Sequence, residues 1–415
     1  MSGVPAAVAE LDAELNAFTQ LVAEGPRSST GPLAGWTVAV KDNTDVVGTA
    51  RTDGLRDPLP PVATTDAEVV RRLRAAGARI VAKANLEELS FGAATQNATW
   101  GACRNPWDPS RIAGGSSGGS AVAVAAGLVR LALGTDTGGS LRNPAAFCGV
   151  TTLRPSHGLV PTLGVSALSP SMDVVGPLAR DVADITLAMN ALAGIEAPQP
   201  VDLREITVGV PKAYFLTDLQ PEVADGFDDL VATLCDRGAR TVDLDGLTEV
   251  DRVHEAMATL QNSEAIRYLY PYWNDARVSA GIKGRIEVGR SVTTADVEHA
   301  LKVASAWCRQ VAQALAQVDV IAVPATPFVA PVADHADLTV LSRQINRLTG
   351  CWSLTGLPVL GLPVTPSPAG LPVGAQLIGR SGGDCALLAI GAAVQAASDW
   401  HQLRPPNALP DAVWE

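Results

Sequence analysis

Apolar residues recur at helical spacing near the start of the chain, at Val8, Leu11, Leu15, Phe18, Leu21 and Val22, and predict a helix over residues 8–23. Residues 25–31 are a polar break. The run Trp36-Thr37-Val38-Ala39-Val40 predicts a strand that ends at Lys41. Asp66 stands at an N-cap position for a helix reaching Ala76, and Gly77 ends it. Residues 79–83 read as the next strand. Helix and strand alternate in this way in an α/β core. Residues 91–119 are rich in loop formers, a small-residue helix is expected over 120–126, and a strand follows over 128–133. Residues 200–310 are more charged and more helical, as over 297–315, and predict an outer layer or insertion. Strand-like runs return at 318–324 and 359–364. No internal repeat interrupts the pattern, so one domain is expected over residues 1–415.

Composition narrows the function classes. The chain has 415 residues, 47% hydrophobic and 18% charged, and its formal net charge is -12. That balance suits a large folded interior, and the absence of a lysine-arginine block excludes nucleic acid as an expected partner. Six cysteines and five histidines show no metal-ligand spacing, so reduced thiols, no metal and no cofactor are expected. The most apolar stretch, 121–133, carries Arg130 and is too short to span a bilayer. No basic segment leads into an apolar one at the N-terminus. No membrane association and a cytoplasmic location are the expectations.

Two serine-glycine clusters carry the chemistry. The first is Gly114-Gly115-Ser116-Ser117-Gly118-Gly119-Ser120; the second is Gly134-Thr135-Asp136-Thr137-Gly138-Gly139-Ser140, followed by Leu141-Arg142-Asn143-Pro144. A serine hydroxyl is a weak nucleophile without a base. No histidine lies near either cluster, which points to Lys41. Burial at an apolar strand end disfavours the ammonium and frees a lone pair for proton transfer. Asp42 alternates to the other face of the strand and need not keep Lys41 charged. Ser116, Ser117 and Ser140 are the candidate hydroxyls. Ser140 follows two glycines at a strand-to-helix turn, where the amides of Thr137, Gly138, Gly139 and Ser140 can converge on an oxyanion. A competing reading takes Gly114-Gly115-Ser116-Ser117-Gly118 as a nucleophile elbow, with an acid and a histidine downstream.

The string GGSSGGSAVAVAAGLVRLALGTDTGGSLRNPA, residues 114–145, resembles the amidase signature over its full length. The resemblance extends to Lys41-Asp42-Asn43, Asn105-Pro106-Trp107-Asp108, Cys148-Gly149-Val150, residues 171–177 and Gly356-Leu357-Pro358. It implies an α/β fold in which a large, mixed, twisted sheet lies between helical layers. It implies a triad of lysine, cis-peptide serine and nucleophilic serine, carried here onto Lys41, Ser116 and Ser140. Ser117 falls beside the triad as a secondary site. Asp136 and Arg142 match positions next to the nucleophile, read either as a buried pair bracing the loop or as a substrate contact. Thr95, Gln96 and Asn97 match a pocket-lining loop and equally suit a polar turn.

Within the family, the chain resembles small-amide hydrolases and the ammonia-supplying A subunits of glutamine-dependent tRNA amidotransferases. The segment 339–346 lacks the acidic residue that those subunits offer to a glutamine ammonium. Ser353 stands where Asn is usual, and Thr152 and Arg154 stand where Gly and Lys are usual. Two active readings follow: a self-sufficient hydrolase of a small amide, expected by analogy to dimerise with its own copy, or an ammonia-supplying subunit that needs a partner. A scaffold that keeps the fold without catalysis is the third. Arg343 or Arg347 is a candidate for a substrate carboxylate, and Trp100, Trp107, Trp307 and Trp352 are candidate pocket walls.

Overall fold

A computed structural model of the chain describes residues 4–23, 30–56, 62–334, 338–410 and 414. The polar break at 25–31 lies largely outside the described residues. Thirteen strands occur in order among them: β1 (Phe18–Leu21), β2 (Thr37–Lys41), β3 (Arg79–Ala84), β4 (Gln96–Asn97), β5 (Gly101–Ala102), β6 (Leu131–Asp136), β7 (Thr151–Arg154), β8 (Val174–Ala179), β9 (Thr207–Val210), β10 (Arg240–Asp243), β11 (Val320–Pro324), β12 (Val359–Val364) and β13 (Val373–Ile378). β4 and β5 form a small hairpin. The other 11 join one sheet in the order β1-β3-β2-β6-β8-β7-β12-β13-β11-β9-β10. Pairing is parallel for β3-β2-β6 and β11-β9-β10 and antiparallel elsewhere, which gives the mixed sheet that the family resemblance implies.

Strand alternation sends apolar side chains into two layers. Val38 and Val40 face one core with the helices Glu68–Ala75, Val182–Ala193, Pro221–Asp236 and Asp384–Ala397. Ala39 faces the other core with the helix Gly118–Ala125, whose small residues are all buried. Small size is what lets that helix approach closely: a Cβ on Gly119 would come within 2.4 Å of Ala17 O and Asn85 N. Lys41 therefore leaves β2 on the side of this helix, and the loop that precedes it carries Ser116.

Three expectations change. The helix expected over 8–23 stops at Leu15, and Phe18–Leu21 is β1, antiparallel to β3. Asn16 takes the left-handed conformation, and Asp12 Oδ1 accepts from the amides of Ala17 and Phe18, so the chain turns although the apolar spacing continues. Asp66 does not cap its helix. Its carboxylate accepts from Val47 N and pairs with Arg74, and Ala67 occupies the cap position. Residues 200–310 hold the expected helices, yet they also supply β9 and β10 to the edge of the sheet. A contiguous apolar core continues through Phe215, Trp307 and Trp352.

Candidate active site

Lys41 is fully buried at the end of β2. Parallel pairing of Val40 with Leu133 brings the ends of β2 and β6 level. Lys41 Nζ lies 2.7 Å from Ser116 Oγ and 2.8 Å from Thr135 Oγ1. Burial pushes the Lys41 ammonium down from 10.5 to about 7, against the pull of the carboxylates of Asp136, Asp173, Asp53 and Glu87. Asp42, the next residue, pairs with Lys83 and accepts from Thr19 and Thr52 hydroxyls, away from Lys41.

The loop holding Ser116 is fixed from several sides. The Gly115–Ser116 peptide is cis. Ser116 O accepts from Glu87 N at 3.1 Å. Thr95 Oγ1 donates to Gly114 O and accepts from Gly118 N, which spans the loop from Gly114 to the helix start.

Ser140 is half-buried in the turn between β6 and the helix Arg142–Cys148. Asp136 organises this turn: its carboxylate accepts from the amides of Gly139 at 3.0 Å and Leu141 at 3.1 Å. It also pairs with Arg142 and Arg154, all three side chains being fully buried. Burial opposes the Asp136 charge, but the two guanidiniums hold its carboxyl well below the usual range. Burial likewise pulls Arg154 down to about 10. Gly139 sits at φ +137°, and a Cβ there would lie 2.3 Å from Thr349 Oγ1. The two clusters are tied together where Ser117 N donates to Ser140 O at 3.2 Å.

The structure brings Lys41 and Ser116 into contact and sets Ser140 on the adjoining turn. Other candidates are placed as follows. Ser117 Oγ is buried and donates to Thr135 O at 3.1 Å. Thr95 is buried within its loop bonds, and Gln96 lies in the β4 edge of the hairpin. Of the four amides expected to face an oxyanion, that of Gly139 is bound to Asp136. Asp136 and Arg142 form the brace of the two readings. Arg347 donates to Tyr214 O and Thr217 O, and Arg343 is exposed. Trp307 and Trp352 meet at a tilt in the core, with ring centroids 5.6 Å apart, and Trp107 Nε1 donates to Cys148 O.

Four contributors lacked a role in the sequence reading. Thr135 and Asn43 sit inside quoted motifs, and Asn43 Nδ2 donates to Thr135 Oγ1 at 3.2 Å. Asp173 accepts from Thr137 Oγ1 at 2.6 Å and from the amides of Leu168 and Ser169, while burial raises its carboxyl. Thr349 Oγ1 donates to Gly138 O at 3.0 Å from more than 200 residues away, a pairing that no local pattern reveals.

A cavity of about 410 Å³ opens beside Asn43, Ser90, Thr135 and Thr137, with Val160, Val165, Leu168 and Val175 among its apolar walls. No lysine or arginine lines it among the described residues. Among those residues no three His, Cys, Asp or Glu side chains gather as a metal site, and no helix is long and apolar enough to cross a membrane.

Comparison with known proteins places this geometry in context. The amidase family model matches residues 6–388. The A subunit of the glutamyl-tRNA(Gln) amidotransferase of Roseiflexus sp. (strain RS-1) is 35% identical, covering 96% of this chain and 93% of the relative. A crystal structure of an amidase superposes with a TM-score of 0.86 at 34% identity, covering 94% of this chain and 93% of that one. The corresponding amidotransferase subunit of Thermotoga maritima gives a TM-score of 0.84 at 28% identity, covering 98% and 94%.

Proposed function

The chain belongs to the amidase family and is a hydrolase of C–N bonds other than peptide bonds, and from that premise we propose that it cleaves an amide through an acyl-enzyme on Ser140. Ser140 Oγ attacks the carbonyl carbon while its proton passes to Ser116 and the Ser116 proton passes to the lone pair of neutral Lys41. The carbonyl electron pair moves to oxygen and is met by the amides of Thr137, Gly138 and Ser140. The relay then runs backward, protonates the leaving nitrogen and breaks the C–N bond. Water repeats the sequence on the ester. The observation that carries this reading is the 2.7 Å contact between Ser116 and a lysine brought to about 7 by burial, because only an uncharged amine can accept the proton.

The relatives favour an amidotransferase role in choosing the amide: glutamine as the ammonia source, with a partner subunit receiving the ammonia. A self-sufficient hydrolase of a small uncharged amide is the second reading. It is supported by the apolar walls of the cavity beside Thr135 and Thr137, whose described lining includes no lysine or arginine for a glutamine carboxylate. The test is ammonia and amine release from glutamine, small aliphatic amides, dicarboxylic monoamides, ureido acids and aryl amides, with Ser140→Ala as the blank. Release from an uncharged amide by the chain alone supports the second reading. Glutamine turnover only with a co-purified protein supports the first. Equal release by Ser140→Ala overturns the mechanism.

A further inference from the structure

The Thr135 hydroxyl receives two hydrogen bonds. Lys41 Nζ donates at 2.8 Å and Asn43 Nδ2 donates at 3.2 Å. A hydroxyl has two lone pairs and one proton, so both lone pairs are filled and the proton turns elsewhere. Thr135 lines the cavity, which is where that proton has room. The Asn43 amide is oriented by its other end: Oδ1 accepts from Thr44 Oγ1 at 3.3 Å, and Nδ2 also reaches Ser90 Oγ at 3.4 Å.

The consequence falls on Lys41. A neutral amine has two protons and one lone pair. If Thr135 were free to donate, its O–H would compete for that lone pair and Lys41 would turn an N–H toward Ser116. With Asn43 on one lone pair of Thr135 and a Lys41 N–H on the other, the Thr135 proton turns away from the amine; the charged amine donates to Ser116 across the 2.7 Å contact, and the neutral amine keeps its lone pair for the Ser116 hydroxyl there. We propose that Asn43 and Thr135 are positioning residues that set the direction of proton flow, keeping the Lys41 lone pair aimed at Ser116. The inference rests on Lys41 acting as the base for Ser140. The charged groups around Lys41 come from four places: Asp136 on β6, Asp173 before β8, Asp53 after β2, and Glu87 after β3. None of them bonds Thr135 Oγ1, so the hydroxyl is a separate lever on the same amine.

Thr135 also acts on the protonated form. An ammonium gains more from a hydroxyl acceptor than a neutral amine does. Removing the hydroxyl therefore shifts the Lys41 titration downward. A merely loosened site would admit water and shift it upward, toward an ordinary lysine. The two outcomes have opposite signs.

The experiment is the rate of covalent labelling by a fluorophosphonate, which needs no knowledge of the natural amide, measured on the full chain across about pH 5–10. Thr135→Val should lower the high-pH plateau about tenfold and move the midpoint down, and Thr135→Ser should restore both. Asn43→Leu, with Thr135 intact, should lower the plateau and leave the midpoint near that of the wild type. A wild-type plateau in both Thr135→Val and Asn43→Leu overturns the proposal, as does a midpoint that rises in Thr135→Val. If Thr135→Val does not fold, the Asn43→Leu plateau decides alone. Lys41→Ala and Ser140→Ala run alongside: wild-type labelling in either one overturns the base and nucleophile reading instead.

Discussion

Two lysines on neighbouring strands, both fully buried, have opposite partners. Lys83 on β3 lies beside Val40 and meets the carboxylate of Asp42, itself bonded by Thr19 and Thr52. Lys41 on β2 leaves by the other face and, among the described residues, meets the hydroxyls of Ser116 and Thr135. A contacting carboxylate makes an ion pair, which braces three segments of chain. Hydroxyl partners leave burial to dominate, and the amine sheds its proton near neutrality. The partner, rather than depth or residue type, separates a strut from a candidate base.

The sharpest way to break this contrast is to delete each lysine in turn. Lys41→Ala should remove turnover by about 10²–10⁴-fold or more while the protein still folds, measured as product release beside circular dichroism. Near-wild-type rates would end the contrast. Lys83→Met should instead cost about 3–5 kcal/mol of stability, because Asp42 is left buried without its ion-pair partner, and Asp42→Leu added to it should recover part of the loss in denaturant titrations.

A smaller effect separates the two adjacent serines. Ser116→Ala should lower turnover far more than Ser117→Ala. Loss of the Ser117 hydroxyl removes a bond to Thr135 O and should cost about 1 kcal/mol of stability. Equal losses of rate would show that the relay is misassigned.

The smallest effect is in pH dependence. Activity should rise with pH through about 7 as Lys41 loses its proton. The folded-state value lies below the ordinary 10.5, so between about 7 and 10.5 the unfolded chain holds the extra proton. Stability from this group therefore increases with pH across that window, and its cost is full below 7. Lys41→Met should raise the Tm at neutral pH and flatten this slope.

Much of this arrangement was legible in the sequence. The alternation of strand and helix pointed to the α/β class, and the two clusters with Lys41 supplied the residues that now lie together. What was hidden has physical causes. The turn at Asn16 is made by a single aspartate side chain, which apolar periodicity does not register. Thr135 was written inside the second cluster, but its contact with Lys41 depends on strand pairing, which one sequence does not display. Arg154 and Ser353 read as unrelated departures from the family pattern, 199 positions apart. In the folded chain both surround Asp136: Arg154 pairs with it and bonds Ser353 O, while Ser353 Oγ accepts from Arg142 at 2.9 Å.

Arg142 joins the Ser140 turn to Thr349 O, Ser353 Oγ and Gln376 Oε1, at sequence separations of 207, 211 and 234 residues. Contacts of such range close late in folding, because loop entropy must be met before they reward it. On a ribosome the lysine strand and both serine loops emerge long before their brace is synthesised. A nascent chain halted ahead of Thr349 carries Lys41, Ser116 and Ser140 and lacks the clamp on the turn around Ser140. The partners that hold this turn are thus among the last parts of its surroundings to be synthesised.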